Sequence, residues 1–189
     1  MLDTRPLLLG KGFPKITRDS LEILQVNLGY KCNLSCTHCH DNAGPSRVEQ
    51  MNRENVNAVV KFMHRNEVKT LDLTGGAPEL NPNFKYLVKE AKSSGIEVID
   101  RCNLTILLEP GYKDLPQFLD KSKVAIVASL PCYEEENVNK QRGKDVFKKS
   151  IQALKDLKGV KTIVVPRTGS SVPMLSGRAV SYTHLTLPT

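Results

Sequence analysis

Cys32, Cys36 and Cys39 stand in the run Tyr30 Lys31 Cys32 Asn33 Leu34 Ser35 Cys36 Thr37 His38 Cys39 His40. This C-x3-C-x2-C spacing puts three thiolates in one short loop, close enough to grip a single inorganic cube. Iron-sulfur clusters are normally held by four thiolates, so a cubane held by three keeps one iron without a protein ligand. That open iron is a place where chemistry can happen.

Two other readings compete for the same residues. His38 or His40 would complete a zinc tetrahedron, because Cys and His both bind zinc. Structural zinc sites usually pair two short knuckles, however, and no second C-x2-C or H-x3-H follows downstream. A disulfide suits three cysteines within eight residues less well than a metal does, and nothing in the chain suggests an extracellular route.

A ligand loop needs a scaffold, and the chain supplies strand then helix, repeated. Leu21 to Leu28 alternates apolar and polar side chains and ends at Gly29, a short strand feeding the cysteine loop. Asn52 can cap a helix whose Val56, Val59, Val60 and Met63 share one face. Thr70 to Thr74 reads as a second strand closed by Gly75 and Gly76. Asn81 and Pro82 then open a helix with Phe84, Leu87, Val88 and Ala91 inward, stopped by Gly95. Ile96 to Asp100 is a third strand, Asp114 to Lys121 a short helix, and Val124 to Ser129 a fourth strand. Val146 to Leu157 is the next helix, and Lys161 to Val165 is a candidate fifth strand.

Four strand-helix units in series demand parallel strands, because each crossover helix returns the chain to the same edge. In barrels built this way the chemistry sits at the C-terminal ends of the strands. The cysteine loop, Gly75-Gly76, Arg101 to Asn103 and Ser129 to Tyr133 each follow a strand, so all four loops are expected on one rim.

The composition fits one intracellular domain. The chain has 189 residues and 40% hydrophobic content, enough for a single core. No stretch approaches the roughly 20 apolar residues of a membrane span, and Leu7-Leu8-Leu9 is too short for a signal-peptide core. A cytoplasmic setting would keep the five cysteines reduced. The formal charge of +7 is spread over lysines that alternate with apolar positions on helices, with no dense basic block and only five Phe and five Tyr for base stacking. A solvated outer face is the better reading than a nucleic-acid track. Attraction for a small anionic substrate or an acidic electron donor stays open.

The cysteine loop following a short apolar strand resembles the signature of radical S-adenosylmethionine (radical SAM) enzymes. Longer runs narrow the likeness: Leu24 to Asn27, Cys36 to His40 with Ala43 Gly44 Pro45, Leu73 to Pro82, and Arg101 to Thr105 are similar to the arsenosugar biosynthesis branch, whose members carry a further cysteine-rich C-terminal domain. The likeness covers residues from about 20 to about 155. It implies an α/β fold, a partial TIM barrel of the radical SAM type, of which this chain would hold the first four or five βα units. Cys32, Cys36 and Cys39 would ligate a [4Fe-4S] cluster, with S-adenosylmethionine on the fourth iron. Reduction would cleave S-adenosylmethionine to methionine and a 5'-deoxyadenosyl radical, and the deoxyadenosyl group would be joined to a methylated trivalent arsenical.

The same likeness assigns further residues. His38 stands where the family usually has an aromatic side chain near the adenine. Gly75 and Gly76 match a Gly-Gly-Glu loop that binds the S-adenosylmethionine amino group, although Ala77 replaces the acid and Glu79 follows two residues later. A simple turn is the bland account of the two glycines, and a helix-start carboxylate that of Glu79. Ser129 falls where the ribose hydroxyls would be held and Asn103 where an asparagine faces S-adenosylmethionine or substrate, with turn roles as the alternatives for both. Cys102 and Cys132 are placed on the same rim, either as small buried hydrophobes or as thiols for a soft arsenical. His64 belongs to the polar side of its helix.

The expected organisation is an N-terminal extension over 1–20, a truncated radical SAM core over 21–166, and an unreliable tail over 167–189. Residues 180–189, Val180 to Thr189, read like a translated frame of a sequencing adapter, so His184 is set aside as a ligand. A barrel cut short in this way is expected to expose a strand edge, to assemble a cluster poorly and to turn over little. The implied partners are a small-molecule substrate and a reducing electron donor such as flavodoxin or ferredoxin, with neither nucleic acid nor membrane. Two alternatives stand beside this: another radical SAM chemistry on a peptide or small molecule, and a non-catalytic zinc or iron-sulfur binding module.

Overall fold

The computed structural model describes residues 20–165 except His38, His40 and Lys158, together with residues 6–7 and 10–12. The tail over 167–189 lies outside the described residues. Five strands, β1 (Ile23–Asn27), β2 (Thr70–Thr74), β3 (Glu97–Asp100), β4 (Ala125–Ser129) and β5 (Thr162–Val165), form one sheet in the order β1-β2-β3-β4-β5. Every neighbouring pair is parallel. The helices are α1 (Arg53–Arg65), α2 (Phe84–Ser93), α3 (Leu115–Lys121), α4 (Glu135–Arg142) and α5 (Val146–Asp156), with 3-10 turns at Pro78–Leu80 and Thr105–Leu108. The parallel sheet is the one expected from the alternation of strands and helices, and the partial α/β barrel is the one the family resemblance implied.

Local chemistry explains where the helices start. The Asn52 side chain accepts a hydrogen bond from the Asn55 amide at 2.9 Å, which satisfies one orphan N–H of α1. Glu54 in the first turn and His64 and Arg65 in the last suit the helix dipole. Val56, Val60 and Met63 are buried in the main core with Leu71 and Leu73 of β2. Phe84, Leu87, Val88 and Ala91 of α2 enter the same core.

Two expectations need correction. Asn81 does not open α2, which begins after Asn83. Asn81 is buried instead as a staple: its Nδ2 donates to the carbonyls of Leu28 at 2.9 Å and Met51 at 3.0 Å, and its Oδ1 accepts from the Asn83 amide at 2.8 Å. The loops after β1 and β2 are thereby locked together. The second correction is α4, which lies with α5 between β4 and β5 and was not expected at all. Only Val138 and Arg142 of α4 are buried, so it carries no apolar stripe to betray it. Among the described residues, no helix is long and apolar enough to cross a membrane.

Candidate functional site

A cavity of about 180 Å³ opens at the C-terminal ends of the strands. Cys32, Cys36 and Cys39 enter it from the loop after β1, Gly75 and Gly76 from the loop after β2, and Arg101 and Asn103 from the loop after β3. Val127 and Ser129 of β4 and Arg142 of α4 complete the wall. Parallel connectivity has put all these segments on one rim, as the loop order required. His38 and His40 lie outside the described residues.

The cysteine loop leaves the sheet and returns through two isolated bridges, Gly29 with Gln50 and Lys31 with Gly44. It is fastened on both sides. Asn33 Nδ2 donates to Thr105 Oγ1 at 2.9 Å and Glu109 Oε1 at 3.2 Å, while the Thr37 amide donates to the Gln141 carbonyl at 3.0 Å. The five cysteines are free thiols, which removes the disulfide reading. Cys32 is buried and Cys36 and Cys39 are half-buried. Burial pushes the Cys32 and Cys36 thiols above the ordinary thiol range, and the positive charge of Arg142 pulls Cys36 the other way.

The sulfurs also collect donors. Cys32 Sγ accepts from the Leu34 amide at 3.5 Å and from Asn103 Nδ2 at 3.4 Å, and Cys39 Sγ accepts from the Ala43 amide at 3.4 Å. Three sulfurs on one cavity, with N–H groups on two and a guanidinium acting on the third, fit a cluster whose anionic charge needs compensating.

Gly75 and Gly76 do more than leave room for a ligand. The Gly76 amide donates to the Gly29 carbonyl and the Ala77 amide to the Lys31 carbonyl, both at 2.9 Å, so the loop after β2 is zipped to the chain entering Cys32. A Cβ on Gly75 would meet the Gly29 oxygen at 2.5 Å, at a φ of +131° that other residues rarely adopt.

Ser129 faces the cavity at the end of β4, and its Oγ accepts from Arg142 Nη2 at 2.5 Å. Arg142 is buried. Sequence reasoning missed it, because nothing marked α4 as a helix. Arg101 also escaped notice as a side chain. Its Nε and Nη2 grip the buried Asp72 at 2.8 and 2.7 Å, and Gln25 Nε2 adds a bond to the same carboxylate at 3.0 Å.

Asn103 lines the cavity as expected, but its amide is committed to protein partners. Cys102 is not on the rim. It is fully buried, its Sγ accepts from the Leu104 amide at 3.2 Å, and the adjacent Asn103 faces the cavity in its place. Cys102 joins Glu79 and Asp100 in a buried trio whose ligand atoms lie within 4.8 Å of one another. Burial pushes both carboxyls up, and the charge of Glu79 raises Asp100 further. Two carboxyls buried side by side cannot readily both ionise. Cys132, half-buried, accepts from the Glu134 amide at 3.4 Å within the loop after β4. His64 is exposed and sits 2.8 Å from Ser94 Oγ.

A probable GTP 3',8-cyclase from Sulfurisphaera tokodaii is 27% identical over 138 residues, which cover 72% of this chain and 43% of the relative. A GTP 3',8-cyclase from Chlorobaculum tepidum is 22% identical over 147 residues, 77% of this chain and 44% of the relative. The chain thus spans less than half the length of these curated relatives, and their names are not those of the arsenosugar branch. Among solved structures, Streptococcus suis SuiB bound to S-adenosylmethionine superposes with a TM-score of 0.63 at 19% identity, over 77% of this chain and 33% of that one. That likeness is one of fold. The profile of the radical SAM superfamily, whose enzymes use a [4Fe-4S] cluster and S-adenosylmethionine, matches residues 26–177, and the chain belongs to this superfamily.

Proposed function

We propose that Cys32, Cys36 and Cys39 hold the [4Fe-4S] cluster and that the rest of the same cavity receives S-adenosylmethionine. The observation that carries this reading is the convergence of the three cysteines on one cavity that Ser129 and the buried cation Arg142 also line. Arg142 matches the methionyl carboxylate in charge, and the backbone carbonyls of the Gly75-Gly76 loop match its ammonium. Ser129 and His38 are assigned to the ribose hydroxyls and the adenine on sequence position, and Ser129 lines the cavity. When bound, the reduced cluster supplies the electron that splits S-adenosylmethionine into methionine and a 5'-deoxyadenosyl radical.

The chain's own contribution is positioning. The Asn81 staple, the Gly75-Gly76 zipper and the Asn33 tether fix the loops around the cavity, so that cofactor and substrate meet in a fixed orientation with water kept out. For the substrate we favour a methylated trivalent arsenical that accepts the deoxyadenosyl group, supported by the runs Leu73 to Pro82 and Arg101 to Thr105. These same runs supply the zipper, the staple and Asn103. A second reading, cyclisation of GTP, is supported by the names of the curated relatives. An electron donor such as flavodoxin or ferredoxin, in a cytoplasm that keeps thiols reduced, completes the proposal.

Anaerobic reconstitution with iron and sulfide tests it. The expected result is a protein whose reduced EPR signal changes on adding S-adenosylmethionine and which releases 5'-deoxyadenosine, in low yield from a chain spanning less than half the length of its curated relatives. Incubation with dimethylarsenite or with GTP then decides the substrate by mass spectrometry of the product. Colourless, zinc-loaded protein would defeat the reading.

A further inference from the structure

Asn103 has no hydrogen-bonding capacity left for a cofactor. Its Nδ2 donates to Cys32 Sγ at 3.4 Å and to Asn33 Oδ1 at 2.8 Å, and its Oδ1 accepts from Thr105 Oγ1 at 3.1 Å and from the Ile106 amide at 3.2 Å. A primary amide has two N–H donors and two acceptor lone pairs, and all four are used. The residue is 7% exposed, so these bonds form away from bulk water.

The network also fixes which way the amide points. Glu109 accepts from Asn33 Nδ2, which leaves Asn33 Oδ1 as the acceptor facing Asn103. Asn33 Nδ2 donates to Thr105 Oγ1, Thr105 donates to Asn103 Oδ1, and Asn103 donates back to Asn33, closing a ring. Flipping the Asn103 amide would set its oxygen against Asn33 Oδ1 and its NH2 against the Ile106 N–H. Both contacts are repulsive, so the N–H toward Cys32 is imposed by the ring.

We infer that Asn103 is a positioning residue that acts on the cluster through Cys32, setting the ease of reduction rather than binding S-adenosylmethionine. This rests on the assignment of Cys32 as a cluster ligand. Hydrogen bonds to ligating sulfur withdraw charge from it and favour the reduced, more negative state. With the Leu34 amide, the Asn103 amide gives Cys32 two such donors.

Asn103→Asp keeps an oxygen for Thr105 and Ile106 but replaces the donor with a carboxylate oxygen; Asn103→Ala removes the donor without adding charge. Both are compared with the wild-type protein for iron content, S-adenosylmethionine affinity and the midpoint potential of the cluster in an EPR-monitored redox titration. The expected result is wild-type iron and affinity with the potential moved to more negative values in both, further in the aspartate variant. An unmoved potential in iron-loaded variants overturns the inference, and so does a loss of affinity at unmoved potential. Because a variant can fail to retain the cluster, wild-type protein labelled with 15N-asparagine is also measured by pulsed EPR. A 15N coupling to the reduced cluster supports the inference, and its absence overturns it. Wild-type protein that takes up no iron defeats the ligand assignment and takes this inference with it, whereas the other failures defeat this inference alone.

Discussion

A methyl group on Gly76 would stand 2.4 Å from the carbonyl oxygen of Lys31, the residue before the first cysteine of the loop. No side-chain motion relieves that clash, because the obstruction is backbone. Gly76→Ala must therefore push the loop after β2 away from the loop after β1, at a cost of about 1 to 3 kcal/mol. The far-ultraviolet circular dichroism of the variant should stay native while its iron content after reconstitution falls to a small fraction of wild type. A variant that loads iron normally would show that the two loops need not touch.

Arg142→Met keeps the apolar stem of the side chain but removes its charge and its bond to Ser129. If the guanidinium pairs with the methionyl carboxylate, the affinity for S-adenosylmethionine falls about tenfold, or about 1.4 kcal/mol. Isothermal titration of cluster-loaded protein measures this. An unchanged affinity would remove Arg142 from cofactor binding.

Glu79 and Asp100 carry a pH signature. Burial raises both above their ordinary values of 4.5 and 3.8, so the folded chain binds their protons more tightly than the unfolded chain does. Their contribution to stability is therefore fullest at acid pH, below the unfolded values, and is lost as pH rises toward the raised folded values. Asp72 and Cys102 face the same pair, and the Asp72 charge adds to the effect on Asp100. Asp100→Asn supplies a permanent donor to Glu79 and should gain about 1 kcal/mol over wild type at neutral pH, and less at about pH 4. Urea denaturation at the two pH values checks the sign. A divalent cation held by the trio would reverse it, making the variant less stable at neutral pH.

Asn81→Leu removes three hydrogen bonds at a buried position and leaves the Leu28 carbonyl to the Met51 amide at 2.9 Å and the Met51 carbonyl to the long contact with Asn83 Nδ2 at 3.4 Å. The expected loss is about 2 to 4 kcal/mol, measured as a lower urea midpoint with unchanged slope. A loss within about 0.5 kcal/mol would show that water can take over the staple.

Much of this architecture is legible in the residues. The stripe of Val56, Val60 and Met63 and that of Phe84, Leu87, Val88 and Ala91 face the core as their spacing dictates, and the order of loops alone gathers the cysteines, the glycine pair and Ser129 at one cavity. What escapes is what periodicity does not encode. In α4, Glu135 to Arg142 buries only Val138 and Arg142, so the buried cation of the site sits on a helix with no hydrophobic signature. Asn81 looks like a helix opener because capping asparagines and cross-loop staples are the same residue type, told apart only by the partner 53 positions away. Cys102 and Asn103 are adjacent in the chain and point to opposite places, one into the acid trio and one toward Cys32, which a rim assignment from sequence order cannot resolve.

The tethers on the cysteine loop have a consequence for biogenesis. Thr37 is bonded to Gln141, 104 positions later, and Asn33 to Glu109, 76 positions later. Contacts of such sequence separation form late, after the intervening chain has been ordered. A nascent polypeptide that has emerged only as far as β2 would already display its three thiols, yet without the clasps that shape them into a receptor. The trap for iron is armed only once α4 has docked, so maturation enzymes would meet a competent binding pocket on a sheet that has reached β4 and not on one that has reached only β2.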